Sequence, residues 1–488
     1  MLGFFFGDYT IQFERLFFMK TGKYKNDPKI IRADIVAAGK LAFTRGDYAK
    51  SITLLEAYLK QFSASQIVNA TVAEVCLILG MSHFNVNNYA LAYAACLRAA
   101  QTNPENPIYG INVARCLAKL GDLQGGLKEL MIIPESKRTA EWWSTVGGLR
   151  SAMGDLSGSE SAFQQALQLN PVDPEANSGL VSITFRQQKL TEIETLVGSL
   201  KMDALTLESR CQIQIFRLIN FWMQGDLQAV DLLLQASSSD LKKLAKTASL
   251  TSRIVLPFAI FIAHLLRFRQ SVIPALFLDR TSENKILYAV GDSHCLSLAN
   301  TYFDSSGGRY RVQAALNPGC KAFHLGSEKF NVYKAGLEGI VDQLPPNANL
   351  ILMVGEIDCR RDEGILIFAE KTGGNPERIA QEVVEKYLRY LVAILSGRAI
   401  HLSICGVPAP CAPMQDEQSG HRFELQKILI SAFNQALRKE CATYHFGFLD
   451  VHAITSNKDG SANGKFHLDR IHLAPHFLVA AASGTLSK

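Results

Sequence analysis

Two short stretches of the chain carry residue types that can do chemistry together. The first is Gly291-Asp292-Ser293-His294, which ends the apolar run Ile286–Val290. The second is Asp469-Arg470-Ile471-His472, near the C-terminal end. A serine hydroxyl becomes a useful nucleophile when a histidine takes its proton, and a carboxylate holds that histidine in the right tautomer. Glycine after a strand lets the chain turn sharply. It leaves the next side chains at the strand's carboxyl end, where open α/β folds bind ligands. The residues therefore predict one hydrolytic site in which Ser293, His472 and Asp469 meet.

The elements that must position this site come from strand-like runs alternating with helical ones after Lys285. Ile286–Val290, Val312–Leu316, Leu350–Val354, Ala399–Cys405 and Phe446–Asp450 read as five strands. Leu350–Val354 is apolar throughout, as expected of a strand covered on both faces. Helical patterns fall at Glu328–Leu344, Pro376–Leu395, His421–Cys441 and Pro475–Ser483. The alternation predicts a parallel sheet between two layers of helices, a three-layer α/β domain over residues 283–488.

Gly291-Asp292-Ser293 after the first strand resembles the opening block of the SGNH/GDSL hydrolases, whose sheet is flavodoxin-like. Asp469-x-x-His472 before the last helix is similar to their closing block. The resemblance implies Ser293 as nucleophile, His472 as the base that takes and later returns its proton, and Asp469 as the residue that orients His472. It implies backbone N–H donors from Ser293 and from Gly319, in Asn317-Pro318-Gly319, for the oxyanion. The third block of that family usually reads Gly-x-Asn-Asp. Here it reads Gly355-Glu356-Ile357-Asp358-Cys359-Arg360. Ile357 has no side-chain donor, so Arg360 is the residue expected to replace the missing amide. Asp292, His294, Glu356 and Asp358 complete the expected substrate-binding set. An internal ion-pair network is the competing reading for Glu356, Asp358 and Arg360. The expected activity is that of a serine esterase or acyl hydrolase, with an O-acetylated carbohydrate or related ester as substrate and no cofactor or metal.

The first half reads differently. Gly46-Asp47-Tyr48, Asn87-Asn88-Tyr89, Gly121-Asp122-Leu123, Gly154-Asp155-Leu156 and the weaker Gln188-Lys189-Leu190 recur. Their third positions, 48, 89, 123, 156 and 190, are 41, 34, 33 and 34 residues apart. Each lies after a helical pattern rich in small residues, and the first four lie before a second amphipathic pattern. Asn103-Pro104 and Asn170-Pro171 close units, because proline cannot continue a helix. This pattern resembles the tetratricopeptide repeat (TPR), with Ala162–Ala176 as a second helix and closing proline. The fold class is thus α plus α/β, an N-terminal helical solenoid followed by the sheet domain. The expected divisions are an aromatic segment at 1–31, repeats at 32–200, a helical cap and connector at 201–282, and the sheet domain from 283, with the break near Asp279–Asn284. By analogy with the repeat, its groove is expected to bind a protein or peptide.

Composition bounds the remaining choices. The chain has 488 residues, too many for one core. Net charge is +5 with no run of five basic residues, which argues against nucleic acid as a partner. The ten cysteines form no CxxC pair and are scattered over both halves, as suits reduced thiols and a cytoplasmic location. The aromatic N-terminus lacks a leading basic region and a small-residue cleavage site, so it reads as mature, packing sequence. Ile254–Leu266 is apolar but short, and reads as a buried helix rather than a transmembrane segment. Two alternatives come from other classes. One is a non-catalytic scaffold with a degenerate α/β domain. The other is a metallophosphoesterase using Asp292 and His294 with the ligand-type residues His467, Asp469, His472 and His476.

Overall fold

The computed structural model describes residues 28–60, 70–247, 249–271, 284–305, 307–413 and 417–482. Most of the aromatic N-terminal segment and of the expected break at Asp279–Asn284 lies outside the described residues. The chain divides into two compact units. One runs through Met153 and includes Ser157–Leu180. The other holds Gly154–Leu156 and everything from Val181 onward.

The first unit is a run of helical hairpins: α1 (Pro28–Thr44) with α2 (Tyr48–Leu59), α3 (Ala70–Asn85) with α4 (Tyr89–Thr102), and α5 (Pro107–Lys119) with α6 (Leu123–Ile132). These are followed by α7 (Ala140–Ala152), α8 (Leu156–Leu169) and α9 (Pro174–Arg186). The recurring triplets are the turns between paired helices. Their first residues, Gly46, Asn87, Gly121, Gly154 and Gln188, all adopt positive φ, between 59° and 87°. That left-handed residue ends one helix. The aspartate after it starts the next: Asp47 accepts the Lys50 N–H, and Asp122 accepts that of Gly125. Asn88 stands at the same place without a side-chain bond. Small residues on facing helices let the hairpins close. A Cβ on Gly80 would meet Cys96 Sγ at 2.5 Å. Trp142 is buried and donates from its indole to the Leu130 carbonyl.

The second unit begins with the end of α9. It continues through α10 (Ile193–Ser199), α11 (Leu207–Gln224), α12 (Leu227–Ala245) and α13 (Leu250–Ser271). Gly225, at φ 80°, opens the same turn chemistry once more. The helices expected to be repeat end, cap and connector therefore pack with the sheet. Trp222 of α11 donates its indole N–H to the Leu296 carbonyl at 2.8 Å, and Asn300 donates back to the Trp222 and Met223 carbonyls. Helix α13 is longer than the apolar run that announced it, because Pro257 sits inside it without ending it. Residues Thr251–Ser271 are long and apolar enough to cross a membrane, yet Phe261, Ile262 and Leu265 are buried within the unit.

The sheet has six strands: β1 (Lys285–Gly291), β2 (Tyr302–Ser305), β3 (Gly308–Leu316), β4 (Ala348–Met353), β5 (Ile400–Cys405) and β6 (Gly447–Leu449). Their order is β2-β3-β1-β4-β5-β6. All pairs are parallel except β2 with β3. The sheet is therefore mixed, not purely parallel. The unexpected edge strand is β2, which pairs antiparallel with the strand next in the chain, from Tyr302 opposite Arg311 to Ser305 opposite Gly308. The remaining helices are α14 (Ala322–Gly326), α15 (Val332–Asp342), α16 (Ile365–Thr372), α17 (Pro376–Leu395), α18 (Glu417–Tyr444), α19 (Val451–Thr455) and α20 (Phe477–Ala482). A core of Leu350, Leu352, Tyr387, Leu388, Phe433 and Leu437 joins β4 to α17 and α18.

Candidate functional site

The chain runs from β1 to β3 on one side and then crosses to β4 on the other, so the sheet reverses direction at β1. Loops at the carboxyl ends of β1 and β4 part there and leave a crevice. Gly291 is required at the end of β1. Its φ is 151°, and a Cβ there would lie 2.0 Å from the Met353 carbonyl oxygen. The Asp292 N–H then donates to that carbonyl, and a short 3-10 helix, Ser293–Leu298, begins at once.

Ser293 is the first residue of that helix and is half-buried. Its Oγ lies 2.9 Å from His472 Nε2, across 179 residues of chain. His472 Nδ1 lies 2.9 Å from Asp469 Oδ2. Asp469 is a carboxylate held by its own loop, with Oδ1 accepting the N–H groups of Ile471 and His472 at 2.8 and 2.7 Å. Burial opposes its charge, but those bonds and the His472 ring hold its pKa well below the usual carboxylate range. Nδ1 must therefore donate, and the tautomer leaves Nε2 as acceptor for the serine O–H. Burial lowers the His472 pKa below its ordinary value. The bond to Asp469 works against that shift, and the neighbouring His294 adds to it.

Gly319 lies in a tight turn at the carboxyl end of β3. The Cys320 N–H donates to the Asn317 carbonyl at 3.1 Å, and Gly319 has φ 70°, the shape of a type II turn with proline second and glycine third. The Asn317 N–H donates to the Gly291 carbonyl at 2.7 Å, which places this turn beside the one bearing Ser293. Among the described residues, neither the Ser293 N–H nor the Gly319 N–H meets an acceptor.

The third loop departs from expectation. Arg360 is held in a planar pair with Glu356, its Nε 2.9 Å from Oε2, and by Glu363 at 2.9 Å. It is the hub of an ion-pair chain that continues from Glu363 to Lys321, the arrangement of the competing ion-pair reading, so its guanidinium is already bonded where a donor in place of asparagine was expected. Asp358 is engaged by the backbone. Its buried carboxyl accepts the Ala322 and Phe323 N–H groups at the start of α14. Burial pushes its pKa up to about 7, against those two bonds. Glu356 borders a small cavity together with Asp292, His294, Val407 and Leu473. Ile357, where the resemblance would place an amide, is buried.

His294 bonds on both sides, to Asp292 Oδ1 at 3.0 Å and to the Ile471 carbonyl at 3.1 Å. His467 Nε2 meets the Ala409 carbonyl, and His476 Nε2 meets that of Lys465. These histidines do not assemble with Asp292 into the centre the metallophosphoesterase alternative needs. Among the described residues no three His, Cys, Asp or Glu side chains are grouped to hold a metal ion. Cys295, Cys320 and Cys359 are buried beside the site, and burial raises their thiol pKa values well above ordinary, as suits packing rather than reactivity.

Sequence reasoning missed two residues. Phe261 of α13 stacks on the His472 ring at 3.6 Å. Arg186, in the last turn of α9, reaches Asn317 Oδ1 at 3.4 Å and the Pro318 carbonyl at 3.3 Å, and lies over the Tyr333 ring. Nothing in an apolar helix or a helix-ending arginine marks either one. The asparagine before Pro318-Gly319 was the only available signal.

The family model of the tetratricopeptide repeat matches residues 36–107. No curated protein matches the chain. Among solved structures, PilF of Pseudomonas aeruginosa is similar at 11% identity and a TM-score of 0.33, over 46% of this chain and 95% of that one. PilW, described as a widely conserved type IV pilus biogenesis factor, is similar at 14% identity and a TM-score of 0.33, over 46% and 98%. A thermophilic TPR protein of Thermus thermophilus is similar at 17% identity and a TM-score of 0.29, over 36% and 94%. The N-terminal region is a tetratricopeptide-type helical module, the kind that serves protein interaction.

Proposed function

We propose that the sheet-bearing unit is a serine ester hydrolase of the SGNH type, attached to a repeat module that recruits a protein partner. One observation carries the reading: Ser293 Oγ, His472 and Asp469 stand in a continuous hydrogen-bonded line with both links at 2.9 Å. The strand order supports it. Without the edge strand, the parallel strands run second-first-third-fourth-fifth, as in flavodoxin-like sheets with a site at the reversal.

In this mechanism His472 takes the Ser293 proton as Oγ attacks the ester carbonyl. The carbonyl oxygen becomes an anion received by the Ser293 and Gly319 N–H groups. Asp469 stabilises the imidazolium that forms. His472 then gives its proton to the departing alkoxide. Water repeats the sequence on the acyl-serine, releasing the acid and restoring Oγ–H. The proposed substrate is an O-acylated, in particular O-acetylated, carbohydrate or related small ester. The ten free thiols, nine of them buried, support a reducing compartment, hence the cytoplasm.

A fluorophosphonate probe tests the proposal. Modification of Ser293 in the native protein, and its loss in His472→Ala, is the expected result. Unmodified Ser293 together with no hydrolysis of p-nitrophenyl acetate would overturn it. A second reading, a non-catalytic scaffold, is favoured by one observation. The third donor position holds Ile357, and Arg360 is engaged elsewhere. On that reading the probe leaves the protein untouched.

A further inference from the structure

Both ring nitrogens of His294 face oxygen atoms that can only accept. Nδ1 is 3.0 Å from Asp292 Oδ1, and Nε2 is 3.1 Å from the Ile471 carbonyl. An ionised carboxylate and a peptide carbonyl offer no proton. A neutral imidazole has one N–H, so one nitrogen lone pair would be left against an oxygen in a buried site. The His294 side chain is only 5% exposed, where such a mismatch is costly. The geometry satisfies both contacts only when both nitrogens carry hydrogen.

We propose that His294 is a fixed imidazolium that bolts the turn bearing Ser293 to the loop bearing His472, and is thus a positioning residue of the site. His294 directly follows Ser293, and Ile471 directly precedes His472. The charge-assisted bond between them therefore joins the neighbours of nucleophile and base, and fixes the separation across which the proton moves. The Asp292 carboxylate holds the other edge of the ring and also accepts the His294 backbone N–H at 2.9 Å. The charged and titratable groups acting on this ring are Asp292 and Glu356, with His472 and His467 nearby. Burial opposes the charge, but the Asp292 carboxylate outweighs it, and the His294 pKa is raised to about 9. The cation has a second effect. Its ring centre is 4.9 Å from that of His472. A second positive charge so close is disfavoured, so His472 stays neutral and able to accept a proton down to lower pH.

The catalytic consequence rests on the hydrolase reading, while the charge state does not. The test therefore begins with nitrogen-15 NMR of the histidines in full-length Ser293→Ala. The expected result is a doubly protonated His294 at pH 7.5, losing a proton only well above that, beside a neutral His472. A His294 ring in a single neutral tautomer at pH 7.5 would overturn the proposal whether or not the protein is an esterase. His294→Gln then separates charge from shape, because glutamine can still donate to the Ile471 carbonyl but carries no charge. With the cation gone, the His472 pKa is expected to rise by about one pH unit. The acid limb of kcat/KM for p-nitrophenyl acetate is expected to rise with it, and kcat to fall at every pH. A His472 pKa unchanged in His294→Gln would also overturn the proposal. If the NMR results hold and no ester is hydrolysed, the hydrolase reading fails and the imidazolium stands. Should His294→Gln fail to fold, the NMR of Ser293→Ala alone decides.

Discussion

The Phe261 ring lies 3.6 Å from the His472 ring and at 15° to it. One face of the candidate base is thus covered by an apolar helix, α13, while its edges are bonded to Ser293 and Asp469. The stack fixes the ring plane and keeps water from one side of it. Phe261→Ala opens a cavity beside the histidine. Loss of about 3–5 kcal/mol in chemical denaturation is expected. Phe261→Leu keeps most of the volume, so less than about 1.5 kcal/mol should be lost. Burial is the first cause of the low His472 pKa. Letting water onto that face should therefore raise the acid limb of the pH–rate profile in Phe261→Leu. A limb that stays in place would show that the stack does not set the pKa.

The native pH profile has its own expected form. A histidine whose pKa is lowered loses its proton earlier as pH rises. Activity should accordingly switch on below the ordinary histidine value of about 6.5. The same shift makes an acid liability. Below its unfolded pKa, the unfolded chain protonates His472 more readily than the folded one does, so stability attributable to this residue falls as pH drops through that range. Rates and melting temperatures measured from pH 4 to 8 check both statements.

Residues that act as one unit do not add. Ser293→Ala and His472→Ala should each reduce kcat by about 10⁴-fold or more, and the double variant should be scarcely worse than either. Independent, multiplying effects in a p-nitrophenyl acetate assay would mean that the hydroxyl and the ring do not share a proton.

Much of this arrangement was legible in the sequence, for identifiable reasons. The repeat turns need a left-handed residue and then a cap, and glycine or asparagine followed by aspartate or asparagine announces that demand locally. Gly291, Ser293, Asp469 and His472 were legible because turn and loop chemistry is also local. What stayed hidden depends on which surfaces meet. Helices α11 to α13 read as an end cap of the solenoid and a connector, because their helical pattern is the same whether they stack on a repeat or on a sheet. Trp222 and Asn300 meet across 78 residues, and no periodicity encodes that. Sequence left Arg360 between two readings, an oxyanion donor or a member of an ion-pair network, because it names the guanidinium and Glu356 but not their contact, nor the part of Glu363.

Arg360 is open to a direct test. Were it an oxyanion donor, Arg360→Gln would lower kcat about 10²- to 10³-fold at unchanged stability. Its position between Glu356 and Glu363 predicts the opposite pattern. Stability should fall by about 1–3 kcal/mol, because Glu356 loses its charged partner, and kcat should change by less than about tenfold. Denaturant midpoints and initial rates on the same preparations separate the two.

Arg186 acts from further away. Its guanidinium bonds Asn317 Oδ1 and the Pro318 carbonyl, the two residues before Gly319, and sits over Tyr333. These partners carry no formal charge, and burial lowers its pKa. Its worth to stability is therefore limited to two long hydrogen bonds and a ring contact, about 1–2 kcal/mol. Its worth to the turn is larger, because Gly319 can serve an oxyanion only if its N–H is held in aim, and small misplacements cost rate steeply. Arg186→Met should lower kcat about 10- to 100-fold while leaving KM and the melting temperature near native. Arg186→Lys, with a point charge in place of the planar fork, should recover only part of the loss. A native kcat in Arg186→Met would detach this arginine from the site and leave the turn to its other bonds, among them those of Asn317 to Gly291 and Tyr333.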